Sequence, residues 1–365
     1  MNRIASIFKP HEPLSSELSV QFNVLRAIAA LLVCMGHGYL IFYYPIYKSP
    51  VIPLYLFGHA AVMVLFINSG FLIAKSASAN IQRNQYFNLY QYAAARVNRI
   101  LPPFYFSLVF MVGIYFIAPY FFATGSRDFM PISPVMSRAK VQLDLTSITG
   151  CLLFINEFLT KTPVMNFAYW TLPFEVWCYA IFGLLIWVKK RRGIIMAGII
   201  TLVLTLLNVT FICYLMVWGL GVWLAIQHNQ NQPFSKRTIY TLLSGSLLML
   251  VLGWCVYQFM LPKGADQEKI LLALYGMVSG LWVSALIYAV IHQKIHFPRC
   301  FETLSKSSYT LYLIHFPMLL FVYGVIQPYI YANFWVLSVA YILSIGLCVG
   351  LAMLIAKKVE HIRLL

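Results

Sequence analysis

Five ionisable side chains lie inside long apolar runs of this sequence: Arg26, His37, His59, Glu175 and His315. Each costs roughly 2.5–3.5 kcal/mol on membrane-insertion scales, so each asks for a reason. Arg26 and His37 share one run. Eleven residues at about 100° each make three turns plus about 20°, so on a helix both project from one face, about 16 Å apart along the axis. A histidine with an unperturbed pKa near 6.5 suits general-base chemistry. An arginine on the same face suits an anionic group. The bland alternative is a snorkelling Arg26 and a packed, hydrogen-bonded His37. Glu175 is the one acidic residue within an apolar run. At that depth it must be protonated or paired, either with His37, whose imidazole it would orient, or with an arginine. Arg96 and Arg99 lie three apart, on one helix side. Two guanidiniums there can grip phosphate oxygens, or lipid headgroups. His315 follows Tyr312 by three residues, as a buried satisfied histidine or as part of a site.

The elements that must position these groups follow from composition. The chain has 365 residues, 61% of them apolar and only 10% charged. Soluble domains carry about 25% charged residues. This excludes a soluble enzyme, a disordered chain and a nucleic-acid-binding module. The apolar runs are about 20 residues long, the length of a membrane-crossing helix. They do not alternate as barrel strands do. The fold class is therefore all-α, a polytopic membrane helix bundle. Ten spans are predicted, over 22–44, 54–75, 100–121, 167–188, 193–208, 209–227, 238–259, 270–292, 309–330 and 334–356. The fifth is the shortest, and it joins the sixth near Asn208.

Charge sets the expected orientation. With both termini in the cytoplasm, 18 of the 26 Lys and Arg fall in cytoplasmic segments and seven outside, with Arg26 inside a span. That asymmetry follows the positive-inside rule. The expected organisation is a cytoplasmic segment 1–21, a membrane domain 22–356 and a cytoplasmic tail 357–365. Within the domain, 76–99 is a basic cytoplasmic stretch, part of it expected as an amphipathic surface helix. Residues 122–166 form the largest external loop. Its apolar stretch Ile148–Ile155 is too short to span, and suits a re-entrant piece or a loop helix packed on the bundle. The net charge of +16 also suits contact with anionic lipid or an anionic cofactor.

Other chemistry is not encoded. There is no GxSxG elbow, no HExxH and no phosphate-binding loop, and Gly219-Leu-Gly221 lacks the third glycine of a dinucleotide fingerprint. The seven cysteines are scattered, most of them inside apolar runs and without metal spacing, and read as small apolar filler. No metal is expected. No cleavable signal peptide is expected, since the first 21 residues are polar and the first apolar run is span-length.

Five motifs together resemble the membrane acyltransferase 3 family. They are Arg26 and His37 with ten residues between them, Ser69-Gly-Phe-Leu72 in the second span and Arg96-x-x-Arg99-Ile-Leu-Pro102 before the third. Trp170-x-Leu-x-x-Glu175-x-x-x-Tyr179 and Ser308-Tyr-x-x-Tyr-Leu-x-His315-x-Pro317 complete the set. The likeness extends over roughly residues 20–355. Such proteins move an acyl group, usually acetyl, from cytoplasmic acyl-CoA to hydroxyls of cell-envelope carbohydrates. The resemblance implies His37 as catalytic base, and Arg26, Arg96 and Arg99 on the acyl-CoA side. Glu175 is expected beside His37, and Ser69, Tyr309 and His315 towards substrate. The expected donor is acetyl-CoA. The expected acceptor is a bacterial surface polysaccharide such as lipopolysaccharide O-antigen, and the expected location the bacterial inner membrane. Some relatives carry a C-terminal SGNH hydrolase-like domain, expected to be absent from a chain ending just after its tenth span. Many have an acidic residue where Met63 stands, so a role of that carboxylate does not carry over to this chain; His59, one turn earlier, is a candidate to compensate. The sequence leaves open a multi-span transporter of sugars or other small molecules, direct transfer against an acyl-histidine intermediate, and the oligomeric state.

Overall fold

The computed structural model describes residues 7–8, 12–47, 54–130, 140–188, 191–230, 235, 237, 240–241, 243–245, 247–248, 251, 265–292, 294–330 and 333–365. The principal helices are α1 (Ser16–Phe42), α2 (Leu54–Asn84), α3 (Leu89–Phe121), α4 (Leu145–Leu152) and α5 (Thr171–Trp187). They continue with α6 (Arg191–Leu207), α7 (Thr210–Gln230), α8 (Ala265–Ile291), α9 (Ser308–Ile330) and α10 (Phe334–Val359). No β-strand occurs among the described residues, only an isolated bridge between Asn156 and Thr160. Eight of the described helices are long and apolar enough to cross a membrane. The protein is an all-helical integral membrane protein. The predicted span 193–208 is the 17-residue α6, about 25 Å long and so at the lower limit for crossing. The predicted span 238–259 lies largely outside the described residues.

Two long helices overrun their apolar runs. The 31 residues of α2 and 33 of α3 make rods of about 46 and 50 Å, against about 30 Å of hydrocarbon. The basic stretch 76–99 is accordingly shared between the end of α2 and the start of α3, with a short turn between them. Asn80 ties that turn: its Oδ1 accepts the Asn88 N–H at 2.8 Å and its Nδ2 donates to the Asn88 carbonyl at 3.1 Å. Gln85 takes a left-handed φ of 62°. The join near Asn208 is as the sequence suggests, with Asn208 Oδ1 accepting the N–H and hydroxyl of Thr210 at 3.0 and 2.7 Å.

The chain divides into two compact units. One comprises residues 1–25, 62–95 and 174–299. In it α7 packs on α8, and α2 crosses α7 with backbones in contact. A Cβ on Gly70 would lie 2.2 Å from the Trp218 carbonyl oxygen, and one on Gly221 2.0 Å from that of Ile67. Small residues let membrane helices approach this closely, where apolar burial gives no drive for association. Lys75, expected as a flanking charge, is only 4% exposed. Its ammonium donates to Asn229 Oδ1 at 2.6 Å, to His228 Nδ1 at 3.0 Å and to the Glu12 carbonyl. Three acceptors match its three N–H donors, so the buried charge is satisfied.

The other unit comprises residues 26–61, 96–173 and 300–365, and α9 packs on α10 within it. Its prolines dictate several polar contacts. Proline cannot donate to the carbonyl four residues earlier. Pro119 frees the Tyr115 carbonyl, which accepts Arg127 Nε at 2.9 Å while the guanidinium lies 4.0 Å over the Tyr115 ring. Pro317 frees the Leu313 carbonyl, which accepts the buried Asn166 Nδ2 at 2.7 Å. In the 122–166 segment, the eight-residue α4 packs only Ser147, Gly150 and Cys151 inward. Asp144 caps it, accepting the Thr146 and Ser147 N–H groups and the Ser147 hydroxyl at 2.6 Å. These donors, the Ser147 hydroxyl first, hold the Asp144 carboxyl below its ordinary range.

Candidate active site

The sequence around His37 is Met35-Gly-His-Gly38. Both glycines sit at close helix contacts. A Cβ on Gly58 of α2 would lie 3.6 Å from the Gly36 Cα, and one on Gly38 would lie 2.8 Å from the Tyr341 ring of α10. The Tyr341 hydroxyl donates to the Met35 carbonyl at 3.0 Å. The backbone that carries His37 is thus gripped on both sides.

The half-buried His37 meets His315 of α9. Its Nδ1 lies 2.8 Å from His315 Nε2. The ring planes are within 10° of parallel and the centroids are 5.1 Å apart. A face-to-face stack would hold atoms about 3.5 Å apart, so nitrogens this close mean that the rings meet edge to edge. His315 is fully buried, and its Nδ1 lies 3.0 Å from the Leu311 carbonyl oxygen one turn back. Phe316 packs its edge against His37 at 5.1 Å between centroids. A chain of two imidazoles therefore runs from a backbone carbonyl of α9 to α1.

Glu175 has other partners than the His37 or arginine pairing that the sequence left open. Its Oε1 accepts the Ser69 hydroxyl at 2.7 Å and the Tyr179 hydroxyl, one turn along α5. The Ser69 and Tyr179 hydroxyls are themselves 2.7 Å apart. The physical reason lies in the donors present. Two hydroxyls aimed at one carboxylate oxygen satisfy it, and His37 Nδ1 has its own partner in His315. Glu175 and Ser69 belong to the unit of α7 and α8, and His37 and His315 to the unit of α9 and α10.

The cations form a third group. Arg26 lies on α1, half-buried; Arg96 is half-buried and Arg99 exposed on α3. Just past α10, Glu360 Oε1 accepts the Thr310 hydroxyl at 2.6 Å and the Thr310 N–H at 3.2 Å. Burial pushes the Glu360 carboxyl up, while the Thr310 donors and the charges of Arg26 and Arg99 pull it down. Arg26, Arg99 and Glu360 thus share one electrostatic neighbourhood at the start of α9. Tyr309 is placed away from the imidazoles: its hydroxyl donates to the Ile100 carbonyl at 3.5 Å, at the Arg96–Arg99 turn of α3. Met63 is fully buried, and His59 stacks on Trp170 at 5.9 Å with planes 7° apart.

Sequence reasoning missed two residues. Glu360 sits one position beyond α10 and four beyond the last apolar run, 334–356, so a search for charges inside runs passes over it. Asn166 was signalled by Pro317, whose missing N–H demands a donor for Leu313.

An imidazole pair with an arginine eleven residues along the same helix, and further arginines in the same unit, suits transfer of a group carried by an anionic donor. Compared with known families, residues 19–353 match the acyltransferase 3 model, described as an acyltransferase domain. No individual curated protein and no solved structure matches the chain. Because the match takes in every helix from α2 to α9 and most of α1 and α10, the chain belongs to the acyltransferase 3 family and is an integral membrane acyltransferase.

Proposed function

We propose that the protein moves an acetyl group from cytoplasmic acetyl-CoA to a hydroxyl of a bacterial surface polysaccharide, such as lipopolysaccharide O-antigen, across the inner membrane. The observation that carries this reading is the His37–His315 contact at 2.8 Å on the helix that also bears Arg26. Arg96 and Arg99 hold the donor's phosphates by charge-assisted hydrogen bonds. Arg26 neutralises charge near the mouth of the path. His37 takes the proton of the acceptor hydroxyl as its oxygen bonds to the thioester carbonyl carbon. The carbon–sulfur bond then breaks, and His37 returns the proton to the departing sulfur. Oxygen ester and free thiol result, with no net change at the histidine. Ser69, Tyr179 and Glu175 offer a hydroxyl-and-carboxylate cluster suited to a sugar. With both termini cytoplasmic, the Arg96–Arg99 turn faces the donor's compartment.

The test is NMR of the host's surface glycans with and without the protein. O-acetyl signals are expected to vanish on deletion and to return on complementation. An unchanged glycan spectrum removes the proposed acceptor. On the donor side, Arg96→Ala and Arg99→Ala are each expected to raise the KM for acetyl-CoA about tenfold, with kcat largely kept, as the loss of one charge-assisted hydrogen bond implies. Unchanged KM in both variants takes these arginines out of the donor site.

A further inference from the structure

We propose that His315 is a positioning residue that fixes the tautomer of His37, so that Nε2 of His37 is the base. This rests on the proposed role of His37 and deepens it. A carbonyl oxygen can only accept, so the 3.0 Å contact to Leu311 requires a proton on His315 Nδ1. A charged imidazolium on a residue with 0% exposure is costly, so His315 is neutral and its Nε2 carries a lone pair. The nitrogen 2.8 Å away must then donate, which puts a proton on His37 Nδ1. Neutral His37 is left with its lone pair on Nε2. Among the described residues, nothing hydrogen-bonds that atom.

The arrangement does with a histidine and a backbone carbonyl what a buried carboxylate does in a serine-protease triad. It selects the tautomer and holds the ring, without itself taking the proton. When His37 becomes imidazolium, its Nδ1–H still points at the His315 lone pair, and the hydrogen bond gains strength as the donor gains charge. Placed this way, His315 touches neither donor nor acceptor, in contrast to the substrate-facing role expected from its motif.

Solid-state NMR of histidine-¹⁵N-labelled protein in lipid reads the tautomer directly, with the His37 signals assigned by their loss in His37→Gln. The expected spectrum has His37 protonated at Nδ1 and bare at Nε2. In His315→Ala, kcat is expected to fall about 10²-fold or more, the range of general-base and tautomer effects, with both KM values unchanged. His315→Gln, whose carboxamide oxygen can accept from Nδ1, is expected to recover at least part of that loss. A wild-type spectrum with the proton on His37 Nε2 overturns the proposal. So does a His315→Ala variant with wild-type kcat, or one whose only defect is a raised acceptor KM. Should His315→Ala fail to accumulate, the wild-type spectrum still decides. The spectrum does not depend on turnover, so an active His37→Ala would sink the base assignment while leaving the hydrogen-bond chain to be judged separately.

Discussion

Replacing His37 by alanine is expected to lower acyl transfer about 10³-fold or more, within the range for loss of a positioned general base. The protein is still expected to insert and to accumulate. His37 contributes little to holding α1 in place, because that work falls on its neighbours. Gly36 lies against Gly58, Gly38 against Tyr341, and the Met35 carbonyl accepts the Tyr341 hydroxyl. Alanine leaves the buried His315 Nε2 without its donor, a cost of about 1–3 kcal/mol. The helix contacts around His37 carry the fold through that loss, whereas removal of the base is decisive for proton transfer. Base-released acetate from the host's glycan measures transfer, and immunoblotting of membranes measures accumulation. Near-wild-type acetate from His37→Ala would end the assignment of His37 as base.

The second large effect concerns packing. Gly221→Leu is expected to cut accumulation several-fold and to lower the thermal midpoint of the solubilised protein. At Gly221 an added Cβ meets the Ile67 carbonyl oxygen at 2.0 Å and the Phe71 nitrogen at 2.8 Å. Both are backbone atoms, which cannot rotate aside. The cost therefore exceeds the about 1–3 kcal/mol typical of overpacking against side chains. A loss of that size changes abundance several-fold. Gly219→Leu is the internal control. It lies two residues away on the same helix, and a Cβ there meets nothing within 4 Å. The comparison also bears on the site. Gly70, which makes the reciprocal contact, adjoins Ser69, so the crossing of α2 and α7 sets where Ser69 presents its hydroxyl to Glu175. Equal accumulation and equal melting of Gly221→Leu and Gly219→Leu would show that the two backbones do not touch.

Most of the fold was legible because a bilayer leaves a chain few choices. Apolar runs of helix-spanning length must be helices. The predicted 309–330 and 334–356 emerge as Ser308–Ile330 and Phe334–Val359. What apolarity does not encode is where a helix continues into water. The predicted 54–75 and 100–121 therefore became Leu54–Asn84 and Leu89–Phe121. Lys75 shows the same limit. A lysine at the end of a run reads as a flanking charge, and only the tertiary structure brings Asn229, His228 and Glu12 around it.

For the site, residue types were legible and partners were not. Arg26 and His37 lie on one helix, so their shared face follows from periodicity. The His37–His315 contact joins residues 278 positions apart, and helical periodicity says nothing of that. Glu175 was drawn to His37 by charge and inferred depth alone, while the hydroxyls that hold it come from Ser69 and its own helix at Tyr179.

The most direct measurement uses purified protein in liposomes, supplied with acetyl-CoA labelled in the acetyl group and with a polysaccharide acceptor. The account predicts that label passes to the carbohydrate as a base-labile ester, with one free thiol released per ester formed and none in the His37→Ala protein. Movement of intact sugar or donor across the liposome membrane, with no ester formed and no thiol released, would contradict it and identify a carrier instead.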